Sequence, residues 1–188
     1  MTPVETAPRA RRTARRWPVG RANGVEHEPR PRPAAADETG QAESTAIRVL
    51  VVDDEASMRT LCRINLELAG FEVSEAADGS TALDRVREQD FGLILLDVML
   101  PDMGGHEVAE QLAADARTRQ VPVAFLSARA GGEDLKRGFE LGAVDYITKP
   151  FDPVALSAQV EEIIARVERG ESETFRRARL AELAEPTA

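Results

Sequence analysis

The sequence predicts an α/β fold, a five-stranded doubly wound parallel sheet with helices on both faces. Three observations carry this. Short aliphatic or β-branched runs alternate with helical stretches through five repeats between Ile47 and Arg169, and such alternation implies right-handed crossovers and parallel pairing. The run Leu93-Ile94-Leu95-Leu96 is apolar at every position, as a parallel strand covered on both faces must be. Polar residues then punctuate the strand ends, where an open α/β sheet places its ligand site. They are Asp53 and Asp54 after the first strand, Asp97 after the third, Ser127 after the fourth and Lys149 after the fifth.

Each element has its own local signal. Ile47 to Val52 is a β-branched, buried first strand. Ser57 to Leu68 reads as a helix with Met58, Leu61, Cys62 and Leu68 available for one face, and Gly70 closes it. Phe71 to Ser74 alternates and suggests an edge strand. Asp78-Gly79 signals a turn, and Ala82 to Arg87 a second helix. Gly92 to Asp97 is the third strand; a loop through Pro101 and Gly104-Gly105 leads to a helix from His106 to Arg117. Val121 to Leu126 is the fourth strand, Glu133 to Leu141 a short helix, and Ala143 to Ile147 the fifth strand. Pro153 to Arg169 closes the series as an amphipathic helix, with Val154, Leu156, Val160, Ile163, Ile164 and Val167 at its apolar positions.

The domain is thus placed at residues 47–170. Residues 1–46 hold eight Arg and nine Pro or Gly but few large aliphatics. They are expected to be a disordered Arg/Pro-rich extension, because so little apolar surface does not offset the entropy of ordering. Its arginines read as a poorly constrained tail rather than a specific binding patch. Residues 47–170 carry 13 basic and 23 acidic side chains. An acidic body lacks the footprint that a phosphate backbone needs, and no DNA-binding segment follows it, so direct DNA binding is not expected. No apolar run approaches the ~18 residues of a membrane span, and Cys62 is the single cysteine, which removes disulfide frameworks and Cys-based metal sites. A cytoplasmic location is expected. In the tail, 171–188, Phe175, Leu180 and Leu183 stand among arginines and glutamates. It either lengthens the last helix into a stalk that would support a homodimer or frays in solvent, with helix the favoured reading.

Three carboxylates converging at one sheet edge repel one another unless a cation lies between them. Mg²⁺ suits Asp53, Asp54 and Asp97, being hard, oxygen-seeking and content with few protein ligands. Asp97 beside such an ion becomes a nucleophile towards a phosphoryl group. Lys149 supplies positive charge for the phosphoryl oxygens, and the Ser127 hydroxyl a hydrogen bond.

The chain from Ile47 to about Arg169 resembles the receiver domain of two-component response regulators, a flavodoxin-like fold. The matching residues are Val51-Val52-Asp53-Asp54-Glu55, the stretch from Leu95 through Asp97 and Pro101-Asp102-Met103 to Gly105, Phe125-Leu126-Ser127-Ala128, and Asp145-Tyr146-Ile147-Thr148-Lys149-Pro150-Phe151. The resemblance implies that Asp97 is the phosphoacceptor, taking its group from a phosphohistidine on a sensor histidine kinase or phosphotransfer protein. It implies Asp54 as direct Mg²⁺ ligand, Asp53 acting largely through water, and the Met99 carbonyl completing the protein's share of the coordination. Ser127 and Tyr146 are similar to the paired switch residues, and the Lys149-Pro150 peptide is expected to be cis. The domain would be of the stand-alone type, not an enzyme with a separate substrate, with its output delivered to a protein target that the residues do not identify.

Two rival readings fit the residues less well. A haloacid-dehalogenase-type phosphatase also uses an aspartate nucleophile with Mg²⁺, but it wants a second Asp two residues on, where this chain has Met99. A pseudo-receiver, binding partners without phosphorylation, should have lost an acid, the acceptor or the lysine, and none is lost. His27 and His106 show no partner that suggests catalysis.

Overall fold

A computed structural model describes residues 46–128 and 132–184 of the 188-residue chain. The expected extension, 1–46, lies outside the described residues except for Ala46, and so does the loop residue Arg129.

The predicted alternation is present. The strands are β1 (Arg48–Val52), β2 (Glu72–Ala76), β3 (Leu93–Asp97), β4 (Val123–Ser127) and β5 (Asp145–Thr148). All pair in parallel, in the order β2-β1-β3-β4-β5, which puts β2 at an edge and the most apolar strand in the centre. The intervening helices are α1 (Ala56–Leu68), α2 (Gly79–Glu88), α3 (Gly105–Ala114), α4 (Gly132–Glu140) and α5 (Pro153–Glu168).

Val49 to Val52 of β1, Leu93 to Leu96 of β3 and Val123 to Leu126 of β4 are apolar at every position because the sheet has two buried faces. Val49, Val51, Leu93, Leu95, Ala124 and Leu126 face Cys62 and Leu66 of α1 and Leu156, Val160, Ile163 and Ile164 of α5. Their neighbours Leu50, Val52, Ile94, Leu96 and Phe125 face the other way, towards α2, α3 and α4. Successive side chains of a strand point to opposite faces, so one strand feeds both cores. Each fully buried aliphatic contributes about 1.5–3 kcal/mol relative to exposure.

Some helix-face expectations change. The buried stripe of α1 runs Met58-Cys62-Leu66 at four-residue spacing; Leu61 is off it and Leu68 lies at the helix end, so both are exposed. Val154 sits in the first turn of α5, about 200° round from Leu156, and is exposed as well. α2 begins three residues earlier than expected, because Asp78 caps it by accepting from the Thr81 N–H at 2.7 Å.

The largest departure is at the end. The tail forms its own helix, α6 (Ser172–Ala184), rather than prolonging α5. Gly170 adopts φ +71°, a left-handed conformation that glycine takes without a Cβ penalty. The N–H of Glu171 then reaches back to the Arg166 carbonyl at 3.0 Å, closing α5. α6 turns onto the α4 side of the molecule. Phe175 meets Phe139 edge-on with centroids 6.4 Å apart, and the Arg166 guanidinium lies 3.7 Å from the Phe175 centroid while it also pairs with Asp145. The stalk reading is therefore corrected: Phe175, Leu180 and Leu183 pack against the domain's own core.

Candidate functional site

Strand register brings the predicted residues together. β1 and β3 are neighbours with Val52 opposite Leu96, so Asp53 follows β1 just where Asp97 ends β3. β4 lies on the other side of β3, with Leu126 opposite Asp97, which sets Ser127 at the same rim. Ser127 is opposite Thr148 of β5, and the Lys149 N–H donates to the Ser127 carbonyl at 2.8 Å. The Lys149-Pro150 peptide is cis.

The side chains converge. Lys149 Nζ donates to Asp53 Oδ2 and to Asp97 Oδ2, each at 2.6 Å. Single carboxylate oxygens of Asp53, Asp54 and Asp97 all lie within 4.8 Å of one another. The Glu55 N–H donates to Asp53 Oδ1 at 2.9 Å and the Met99 N–H to Asp97 Oδ1 at 3.1 Å. The backbone of residue 99 thus lies against the Asp97 carboxylate, while the Met99 side chain points to solvent. Below the acids, Arg59 Nη1 holds the turn by donating to the carbonyls of Asp53 at 2.7 Å and Asp54 at 3.1 Å.

Charge is not balanced within this cluster. Asp53 is fully buried, and burial, with the charge of Asp97 adding to it, raises its pKa against the opposing pull of Lys149 and the Glu55 N–H. Burial acts to lower Lys149, but the hydrogen bonds and charges of Asp53 and Asp97 outweigh it and raise that pKa. Lys149 therefore stays cationic, one ammonium against three carboxylates. The donor set is entirely oxygen, with Asp54 exposed to solvent, which fits a small hard cation that keeps several waters.

Tyr146 lies one strand further out. Its ring packs between Phe125 (centroids 5.0 Å) and Phe139 (5.3 Å), and its hydroxyl donates to the Asp134 carbonyl at 2.9 Å. The slot exists because residue 138 is glycine: a Cβ there would come within 1.8 Å of the Tyr146 hydroxyl oxygen. His106, to which the sequence assigned no partner, is buried with its Nε2 3.2 Å from that oxygen. Its one sequence signal was its place on the inward stripe of α3 with Ala109 and Leu112. Asp102 was also missed. Its carboxylate accepts from the N–H groups of Gly79 and Ser80, both at 2.9 Å, and ties the loop after β3 to the start of α2.

The response regulator receiver domain family profile matches residues 49–161, more than half of the chain. The chain belongs to that family. Among curated relatives, the phosphate regulon transcriptional regulatory protein PhoB of Klebsiella pneumoniae is 44% identical over 122 residues, 65% of this chain and 53% of its own. The DNA-binding dual master transcriptional regulator RpaA of Synechocystis is 39% identical over 65% of this chain and 51% of its own. Among solved structures, the chemotaxis response regulator CheY4 of Vibrio cholerae superposes with a TM-score of 0.60 at 31% identity, covering 63% of this chain and 98% of that one.

This receiver domain spans about half the length of the curated relatives it matches. The expectation of no direct DNA binding is corrected by them, since they include a regulator named as DNA-binding. The acidic surface of 47–170 describes the receiver part alone. A regulator can hold an acidic receiver and contact DNA through other residues, so the charge argument does not extend to the protein as a whole. Among the described residues, no helix is long and apolar enough to cross a membrane.

Proposed function

We propose that this receiver domain accepts a phosphoryl group on Asp97 from the phosphohistidine of a sensor kinase or phosphotransfer protein, in a Mg²⁺-dependent reaction that switches a protein-interaction surface. The observation that carries the reading is the convergence of Lys149 on Asp53 and Asp97 at 2.6 Å beside Asp54. Asp53, Asp54, Asp97 and the Met99 carbonyl would hold the ion, which when bound neutralises charge on the phosphoryl oxygens.

In the transfer, an Asp97 carboxylate oxygen attacks phosphorus; the O–P bond forms as the P–N bond breaks, with imidazole as the leaving group. The Met99 N–H orients the carboxylate. Lys149 exchanges its contact with Asp97 for a phosphoryl oxygen, and Ser127 donates a hydrogen bond to another. Occupancy of the Ser127 hydroxyl shifts the Tyr146 population further toward its inward position and alters the surface built from α4, β5 and α5. No position two residues after Asp97 offers the acid/base of a phosphatase, since Met99 stands there, so turnover of separate phosphoesters is not part of the proposal.

The test is labelling with acetyl phosphate, with and without Mg²⁺. Wild-type protein should gain an acid-stable, base-labile mark only with Mg²⁺, and Asp97→Asn should gain none. Equal marking of both proteins, or marking indifferent to Mg²⁺, would overturn it.

A further inference from the structure

Tyr146 Oη contacts the Asp134 carbonyl at 2.9 Å and His106 Nε2 at 3.2 Å, and the Gly138 N–H also faces it. A phenol has one proton to give and a carbonyl has none. Were that proton aimed at His106, the hydroxyl and carbonyl oxygens would face each other 2.9 Å apart with no hydrogen between them. The proton therefore belongs to the Asp134 contact. It follows that the Tyr146 oxygen accepts at the His106 contact, and that His106 Nε2 carries the hydrogen.

The imidazole is well placed to be held in one orientation. It lies in the first turn of α3, buried, with its ring tilted at 53° against Phe125 at a centroid distance of 4.9 Å. Phe125 is also a wall of the Tyr146 site, so one β4 side chain positions both rings. Burial first, and the charge of Arg137 second, hold the His106 pKa below its ordinary value, opposed by Asp134 and Glu110. The ring is neutral at pH 7.

We propose that His106 is a positioning residue for the switch: by donating from Nε2 to the Tyr146 hydroxyl, it holds the ring in its inward place against Phe125 and Phe139. This rests on the reading of Tyr146 as a switch residue. α3 supplies one hydrogen bond to the hydroxyl and α4 the other, so the ring's position reports on how β5 sits against both helices. A neutral hydrogen bond of ordinary net strength shifts a two-state ratio about five-fold. Loss of the His106 donor should move the inward-to-outward ratio of Tyr146 by about that factor.

The chain offers two clean handles, because Tyr146 is its only tyrosine and His27 its only other histidine. Long-range ¹H–¹⁵N spectra of the full chain should show His106 as the Nε2–H tautomer; an Nδ1–H tautomer overturns the proposal. Fluorotyrosine ¹⁹F spectra should then give the Tyr146 populations in wild type, His106→Leu and His106→Gln, each checked for an unchanged folded state by circular dichroism. Leu should shift the ratio outward about five-fold, and Gln, which keeps an amide donor, should restore most of it. Leu spectra indistinguishable from wild type, or Gln no better than Leu, contradict the donor role. Acetyl phosphate with Mg²⁺ separates the two ideas. A wild-type Tyr146 signal that moves on Asp97 labelling supports the switch, whatever the variants do. One that stays fixed while Asp97 is labelled ends the switch reading, and this functional role for His106 with it.

Discussion

Asp54 differs from its two partners in having no ion pair with Lys149 and a solvent-exposed side chain. It therefore separates metal binding from charge balance within the protein. Asp54→Asn should leave Mg²⁺-free stability within about 0.5 kcal/mol of wild type, as surface substitutions do, yet abolish the rise in Tm that Mg²⁺ produces by binding the folded state. A variant that keeps the full Mg²⁺ response would remove Asp54 from the ligand set. Gly138 makes a second residue-scale test. Alanine in a helix interior normally gains about 0.5–1 kcal/mol over glycine, but here its Cβ would come within 1.8 Å of the Tyr146 oxygen. On the proposed switch reading the ring leaves its slot, so Gly138→Ala should change stability by less than about 1 kcal/mol while turning Tyr146 outward, as its ¹⁹F signal would show. The acids, Ser127 and Lys149 were legible in the sequence because strand periodicity fixes which residues end at one rim. His106 and Gly138 were not. Their meaning lies in a contact with Tyr146, 40 residues from His106, and no local pattern encodes that distance.

At the scale of elements, β1, β3 and β4 could be read directly because both faces of each are buried and every position is constrained. Helix faces were less legible: a surplus aliphatic such as Leu61 or Val154 fits the composition of a stripe without lying on it. α6 was legible as a helix but not in its direction, which depends on Gly170 and on the Phe139 surface that receives Phe175. Phe175 is only half-buried, so Phe175→Ala should cost about 2 kcal/mol, below the 3–5 of a fully buried phenylalanine. Urea unfolding measures it, and a loss under 0.5 kcal/mol would mean that α6 is not held where the structure puts it. The same substitution removes the stacking partner of Arg166, whose pairing with Asp145 ties α5 to β5.

The whole domain should lose stability in acid in two stages. His106 has a folded pKa below its ordinary 6.5, so below that pH the unfolded chain binds more protons and stability falls until the folded value is passed. Asp78, held down chiefly by the Thr81 hydroxyl, and Asp102, held down to about 2 chiefly by the Gly79 N–H, act lower. Their contribution is present above 3.8 and fades as pH drops through their depressed values. Asp53, whose pKa burial raises, works the other way above 3.8 and offsets part of the first stage. His106→Leu compared with wild type should therefore lack the decline below 6.5, while both proteins decline again below 3.8. A variant that keeps the first decline would place the effect on other groups.

Chemical trapping bears most directly on the account. Borohydride reduces an aspartyl phosphate to homoserine, so protein treated with acetyl phosphate and Mg²⁺, reduced and digested should carry homoserine at position 97 and at no other aspartate. Its absence from that position, its presence at Asp53 or Asp54, or its formation at equal yield without Mg²⁺ would contradict a shared site in which one cation and Lys149 serve a single acceptor.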